Sequence, residues 1–237
     1  MLTMLHLMRE GTDMFRKRVL LIIITLFTLY CLNDDKIVSA ESKTSKPTDI
    51  QIQTSGNNLD DFIPEDWKLV SKVKGDLNKD KLKDIAAVIE YTGDYTDNEE
   101  EEGIGKPRVL FIILQKKDGS FKLAVQSANL IMREGEGGIL GDPFDGIEYN
   151  RGSVVISFYG GSAWRWGYTY RFRYQNKDWY LIGKTELSEN VNTGESKIID
   201  TNCITGHQII TSVDPKGKKK VLTHNIGKKQ LKKLIDF

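Results

Sequence analysis

The sequence lacks an excess of either charge. Among its 237 residues, 34 are basic and 33 are acidic, so the formal net charge at pH 7 is +1. Proteins that hold nucleic acid through its phosphates carry a basic stripe or a high positive charge. The charge balance therefore argues against bulk nucleic-acid binding, and we expect no nucleic-acid partner.

The N-terminal apolar run is too short for a comfortable membrane span. Residues 19–32, VLLIIITLFTLYCL, follow Arg16-Lys17-Arg18, whereas a spanning helix needs about 20 apolar residues. Val38-Ser39-Ala40 has the small-x-small pattern of a signal-peptidase site. We expect a signal peptide over 1–40, with Met14 an alternative start, and an extracellular or cell-surface protein. The alternative is an uncleaved N-terminal anchor; in either case membrane contact is limited to this export segment.

Cysteine and histidine are scarce. The sequence has two cysteines, and removal of the leader leaves Cys203 alone, which excludes an intramolecular disulfide. His207 and His224 do not have the spacing of a zinc motif such as H-E-x-x-H, and no G-x-S-x-G nucleophile motif is present. No enzyme motif was found. Paired carboxylates for glycoside hydrolysis stay open, since such pairs meet only in the fold.

What the sequence does contain is a series of short apolar runs rich in β-branched and aromatic residues, which favours strands. The runs are WKLVSKV, DIAAVIEY, RVLFIILQ, FKLAVQSA, SVVISFYG, WRWGYTYRFRY and WYLIGKTE. Lys117–Ser120 and Gln175–Asp178 stand where hairpin turns belong. The pattern predicts a mainly β fold of antiparallel sheets, with a short C-terminal helix carrying Leu231, Leu234 and Ile235.

The composition also predicts a domain order. Residues 41–61 are polar and contain few large apolar side chains, which is typical of a flexible linker. A first β unit should cover 62–130, and a second β-rich region, packed with it, should cover 131–237.

One stretch has the spacing of a calcium loop. In GDLNKDKLKDIAAVIEY, Asp76, Asn78 and Asp80 occupy loop positions one, three and five. The Leu82 carbonyl falls at position seven and Asp84 at position nine. Calcium takes several oxygen ligands, and alternate positions of a tightly wound loop present them from one side. We predict that these five residues hold Ca²⁺.

This stretch resembles the D-x-N-x-D-x-x-x-D loop of FG-GAP/VCBS-type repeats, the integrin-α-like propeller blades in which the loop binds calcium and feeds a strand. The resemblance covers roughly Trp67 to Asn129, one repeat only. It implies one propeller-blade-like unit and no closed propeller. The later segment from about Gly137 to Glu186 is similar to exported bacterial proteins, and that likeness assigns no activity.

The loop departs from the usual pattern at position six, where Lys81 stands in place of the common glycine. The lysines at 79, 81 and 83 also offset the three carboxylate charges, so calcium binding should be weak. The alternative to a calcium loop is a helix that carries Leu82, Ile85 and Ile89 on one face and is capped by Asp76 or Asn78.

A second candidate is the aromatic run from 164 to 174. On a strand, alternate side chains share a face, which here carries Trp164, Trp166, Tyr168, Tyr170, Phe172 and Tyr174. Core burial is the expected role, with Phe172 as a representative core residue, and stacking on sugar rings is the alternative.

Taken together, the sequence predicts an exported, calcium-binding β protein that serves as a binding or structural module at the cell surface or outside the cell. Its partner would be a cell-envelope glycan or a surface protein. The alternative is a hydrolase acting on envelope polysaccharide or another cell-wall polymer, which acids clustered in an open cleft would favour. A cleft lined by aromatic residues and arginines would favour the binding module.

Overall fold

The structure is a computed structural model that describes residues 50–95 and 104–237. The signal peptide or anchor predicted over 1–40 and the first part of the predicted linker lie outside the described residues. Within the two described ranges, no helix has the length and apolar character needed to cross a membrane.

The described residues form twelve strands that pair antiparallel in two sheets. The first sheet has the order β1-β5-β4-β3-β2 and the second has the order β12-β11-β10-β9-β8-β7-β6. The strands are β1 Ser55–Gly56, β2 Trp67–Gly75, β3 Asp84–Tyr91, β4 Arg108–Gln115, β5 Phe121–Ser127, β6 Phe144–Asn150, β7 Ser153–Gly161, β8 Trp164–Gln175, β9 Asp178–Asn190, β10 Ser196–Asn202, β11 His207–Val213 and β12 Lys219–Asn225.

The predicted mainly β, antiparallel class is confirmed, and the seven predicted runs correspond to β2–β5 and β7–β9. Both predicted hairpin turns are present. The Lys116 N–H donates to the Ser120 carbonyl at 2.7 Å, and Asn176 and Lys177 have φ values of 51° and 65°, as a tight two-residue hairpin requires. In the part of the chain that the structure describes, neither sheet closes into a propeller.

Two features differ from the sequence prediction. Strand β1 falls in the predicted linker, and β6, β10, β11 and β12 were not predicted because their residues are mostly polar. Only Thr201 among these four strands is buried, and all seven residues of β12 are exposed. The C-terminal helix is reduced to a 3-10 turn at Leu234–Asp236. Only Leu234 is buried there, whereas Ile235 is 62% exposed, so the segment does not present a continuous helical stripe to the core.

The main core lies between the two sheets. Alternate residues of β3 and β4, including Val88, Leu110 and Ile112, face one way and pack in one cluster with Ile156 of β7 and Phe172 of β8. This arrangement follows from the period-two alternation of side chains on strands. The two sheets therefore share a core.

A second core covers the opposite face of β3 and β4. The intervening residues of these strands, such as Ile89 and Phe111, pack against Ile52, Leu59 and Phe62. Of residues 50–61, which fall in the predicted linker, Ile52 and Leu59 are buried at 3% and 8% exposure, while most of the others are exposed. Their few apolar side chains are sufficient because they are placed over an already hydrophobic sheet face.

The aromatic run is buried in part. Phe172 is fully buried, and Trp166, Tyr168, Tyr170 and Tyr174 are half-buried, but Trp164 is 49% exposed. The expectation of a core face is confirmed at Phe172 and wrong at Trp164. The core extends along β8 from Trp166 to Tyr174 and does not include Trp164, the first residue of the strand.

A buried ion network joins the first sheet to the loop that precedes β6. Arg108 donates two hydrogen bonds of 2.7 Å to the Asp142 carboxylate and one of 2.7 Å to Glu90 Oε2. Burial opposes the charge on Glu90, but hydrogen bonds from Lys68 and Arg108 outweigh it and lower its pKa. Burial also opposes ionisation of Asp142, whose pKa is lowered by hydrogen bonds from Arg108 and from the Phe144 N–H.

The first prediction concerns Phe172. Phe172→Ala should lower the free energy of unfolding by about 3–5 kcal/mol, the range for truncation of a buried aromatic ring. The matched control is Trp164→Ala, on the same strand face but half exposed, for which the loss should be much smaller. Urea titration of both variants measures the difference. Equal losses would contradict the placement of the core at the Phe172 end.

The second prediction concerns Arg108. Arg108→Met leaves buried Glu90 with Lys68 as its one remaining cationic partner and should cost about 3–5 kcal/mol at neutral pH. The lowered pKa of Glu90 means that its contribution to stability exists above its unfolded value near 4.5 and is lost as the pH falls. The deficit of the variant should therefore shrink in acid, where Glu90 is neutral. Urea titrations across the pH range, with Lys72→Met at an exposed position of β2 as control, test this; a deficit independent of pH would contradict it.

Candidate metal centre

The predicted calcium loop connects β2 to β3. Strand β2 ends at Gly75 and β3 begins at Asp84, so the residues after the loop are extended and the alternative of a capped helix is wrong. Gly75 lies under the Tyr149 ring, where an added Cβ would be 2.2 Å from a ring carbon. The Tyr149 hydroxyl donates to the Asp76 carbonyl at 3.4 Å. The second sheet therefore braces the start of the loop.

Two buried residues fix the loop to the core. Leu77 is 1% exposed and belongs to the core between the sheets. Asp84 is fully buried, and its carboxylate accepts backbone hydrogen bonds from Leu77 at 2.8 Å, Asn78 at 3.3 Å and Gln115 at 3.0 Å. Burial of a carboxylate is tolerated only with such partners. The loop thus closes onto the ends of both β3 and β4.

Three carboxylates meet in this loop. Asp76, Asp80 and Asp84 each place a carboxylate oxygen within 4.8 Å of the others, and the three side chains grade from buried Asp84 to exposed Asp80. Oxygen atoms so arranged can surround a hard cation such as Ca²⁺. These three of the five predicted ligand residues are therefore brought together.

The side-chain oxygens of Asp76 and the side-chain amide of Asn78 form hydrogen bonds within the loop. Asp76 accepts N–H bonds from Lys79 at 2.7 Å, Asp80 at 3.1 Å and Lys81 at 3.0 Å. Asn78 accepts from the Asp80 N–H at 3.0 Å through Oδ1 and donates its side-chain amide to Asp80 Oδ2 at 2.9 Å. The Asn78 Oδ1 atom accepts this one bond and keeps a second lone pair.

Leu82, at position seven of the loop, is held by a hydrogen bond from its N–H group. The Leu82 N–H donates to Asp80 Oδ1 at 2.8 Å. The role of the Leu82 carbonyl as a ligand stays a prediction, as does the full set Asp76, Asn78, Asp80, Leu82 and Asp84.

The backbone of the loop carries the strain expected from its sequence. Lys81, at position six, has φ 72°, and Lys79 has φ 70°. Glycine adopts this left-handed region freely, while other residues pay a cost. Both lysine side chains are exposed. At position six, where the calcium-loop pattern has glycine, the backbone thus takes the left-handed conformation although a lysine stands there.

The electrostatics of the loop centre on Asp84. Burial raises the pKa of Asp84 above its ordinary value of 3.8, the negative charge of Asp80 adds to the rise, and the three backbone N–H donors oppose it. Ionisation of Asp84 therefore opposes folding, and a cation beside it would relieve that cost.

Two supporting residues were not found from the sequence. Gln115, at the end of β4, donates its N–H to Asp84 and accepts the Lys83 N–H through Oε1 at 3.0 Å. Tyr149 comes from β6, a strand that the sequence did not predict. Leu77 and Leu82 are the two apolar residues of the loop, and the buried one, Leu77, is the anchor.

Comparisons of the chain with protein-family models, with curated proteins and with solved structures gave no match. The assignment of a function therefore depends on the chemistry of the residues themselves.

The third prediction concerns the titration of Asp84. A carbon-detected NMR titration in chelator should give Asp84 a pKa above 3.8, and excess calcium should lower it because the cation favours the carboxylate. The raised pKa means that the contribution of Asp84 to stability falls as the pH rises from 3.8 through the folded value. Asp118, in the β4–β5 turn, is the control, and calcium should leave its titration unchanged. An Asp84 pKa that ignores calcium would contradict a cation at this carboxylate.

Proposed function

We propose that the chain is an exported, calcium-binding β protein that acts as a binding or structural module at the cell surface or outside the cell. The observation that carries the proposal is the approach of the carboxylates of Asp76, Asp80 and Asp84 to within 4.8 Å of one another. Three like charges so close repel one another, and a divalent cation offsets that repulsion. Export rests on the N-terminal sequence pattern.

The strand order supports a blade-like unit of the FG-GAP/VCBS type. Strands β2, β3, β4 and β5 are neighbours in chain order, as in an antiparallel meander, and the candidate loop lies between the first two. We propose that this unit uses calcium to fix its β2–β3 connection, while the second sheet supplies the surface for a partner.

The lining of two pockets favours binding over hydrolysis. A pocket of about 400 Å³ contains Tyr170, Phe237 and three lysines, Lys184, Lys229 and Lys232. Another pocket, of about 410 Å³, contains Arg171, Arg173 and His207, with Asp200 as its one carboxylate. Hydrolysis of a glycoside by the common mechanisms needs two carboxyl groups facing each other. Neither pocket offers such a pair.

The fourth prediction tests the calcium site. Extracellular calcium modules bind with dissociation constants of about 10⁻⁴–10⁻³ M, and the three neighbouring lysines favour the weak end. At roughly ten times the dissociation constant, bound calcium adds about 1.4 kcal/mol to the free energy of unfolding. The melting temperature should rise with millimolar calcium and return with chelator.

Asp80→Ala should abolish this rise. The variant also loses hydrogen bonds to the Leu82 N–H and the Asn78 amide, so its baseline stability will fall, and the calcium-dependent difference is the quantity to compare. Asp145→Ala, which removes an exposed carboxylate outside the loop, should keep the full response. A wild-type melting temperature that does not respond to calcium would overturn the calcium part of the proposal.

A further inference from the structure

Strand β8 presents a second chemistry on the face opposite its aromatic residues. Arg171 and Arg173 alternate with Tyr170, Phe172 and Tyr174, so the arginines point away from the core. Both line the pocket of about 410 Å³. The only side-chain bond to either arginine in the described ranges is from Arg173 Nη2 to Gln175 Oε1, at 3.3 Å. Within those ranges neither guanidinium has a carboxylate partner.

The register of the sheet explains why a pocket forms here. Arg171 pairs with Gly183 of β9, Gly183 pairs with Asn202 of β10, and Asn202 pairs with His207 of β11. Neighbouring strands are about 4.8 Å apart, so the missing side chain at Gly183 opens a gap of roughly two strand spacings. A bulge on β9 beside Arg171 adds to the irregularity. The gap has donor side chains on both sides.

The donors at this gap exceed the acceptors. The Asn202 Oδ1 atom accepts N–H bonds from Ile204 at 3.0 Å and Thr205 at 3.1 Å, which leaves its amide N–H₂ to donate outward. Arginine offers donors only, and the histidine ring offers at least one. Asp200 is the pocket's one carboxylate; it lies one row away, accepts from Thr185 Oγ1 at 3.4 Å, and does not neutralise either arginine.

We infer that this pocket binds the phosphate group of a small organic phosphate, over Gly183. The two positive charges of the guanidinium groups are balanced better by a phosphate dianion than by a carboxylate, which carries one negative charge. A phosphate monoester also offers three acceptor oxygens to the donors of Arg171, Arg173, Asn202 and His207. The organic part has an apolar wall to contact, since Ile204 and Ile209 line the same pocket and are 38% and 42% exposed. The site is independent of the calcium loop.

The fifth prediction measures binding of three probes to the full mature chain by calorimetry, with chelator present and at an ionic strength of about 0.15 M. Phenyl phosphate should bind more tightly than inorganic phosphate, which lacks the apolar group, and more tightly than benzoate, which carries one charge. Arg171→Gln and Arg173→Gln should each weaken phenyl phosphate binding by about tenfold, the effect of losing a charge-assisted hydrogen bond.

Gly183→Val tests the pocket without changing charge. A Cβ at Gly183 would make only ordinary contacts, 3.7 Å from the Thr201 carbonyl oxygen and 3.9 Å from Arg171 Cβ, so the strand can accept a side chain that fills the gap. This variant should keep its fold and lose phenyl phosphate binding. Lys122→Gln, the same charge change on an exposed residue of β5, should alter the affinity less than about twofold, the effect of an exposed charge.

Three results would overturn binding at this pocket, and a fourth would overturn the assignment of its ligand. The first is the absence of saturable phenyl phosphate binding. The second is an equal loss of affinity in Lys122→Gln and Arg171→Gln, which would show general charge attraction only. The third is full binding by a folded Gly183→Val variant. Benzoate binding as tight as phenyl phosphate binding would overturn the assignment of the phosphate group.

Discussion

The burial of β3 and β4 on both faces is the constraint on which the rest of the structure depends. Alternate residues of these strands face two different cores, one shared with the second sheet and one covered by residues 50–63. Strands buried on both sides have no solvent-facing positions for charges, so the polar groups at their ends must find partners. Asp84 does so with backbone N–H groups, and Arg108 does so with Glu90 and Asp142.

The conformation of the loop between β2 and β3 follows from this arrangement. The backbone N–H groups of Leu77 and Gln115 hold the Asp84 carboxylate. The loop that starts at Asp76 must therefore fold back over the start of β3. This brings Asp76 and Asp80 toward the buried carboxylate. Other backbone N–H groups of the loop hold Asp76 and Asp80 in place. A site held in place by backbone donors needs little reorganisation to bind, but those donors also compete with the cation for carboxylate lone pairs.

The sequence predicted the strands that carry long apolar or aromatic runs and missed those whose residues are mostly polar. β3 and β4 are uninterrupted apolar runs, whereas β12 carries its residues exposed on both faces, so period and hydrophobicity give no signal there. The approach of the three loop acids was predictable because acids of one loop follow a local spacing. Gln115 and Tyr149 were not, because they reach the loop through pairing and packing across the fold. The packing of Ile52 and Leu59 on the first sheet was not predictable because a few apolar residues suffice when the surface they cover is already formed.

On strand β8, alternate side chains face opposite sides of the sheet. It sends Phe172 into the core and Arg171 and Arg173 to the opposite face, and the sequence shows that parity. Whether an outward arginine forms an ion pair with a neighbour or lies beside an open pocket depends on the strand next to it. Here the residue opposite Arg171 is Gly183, which offers neither a carboxylate nor steric bulk. Among the residues that the structure describes, Arg171 therefore has no carboxylate partner and lies beside an open pocket, and only the register of the folded sheet reveals this.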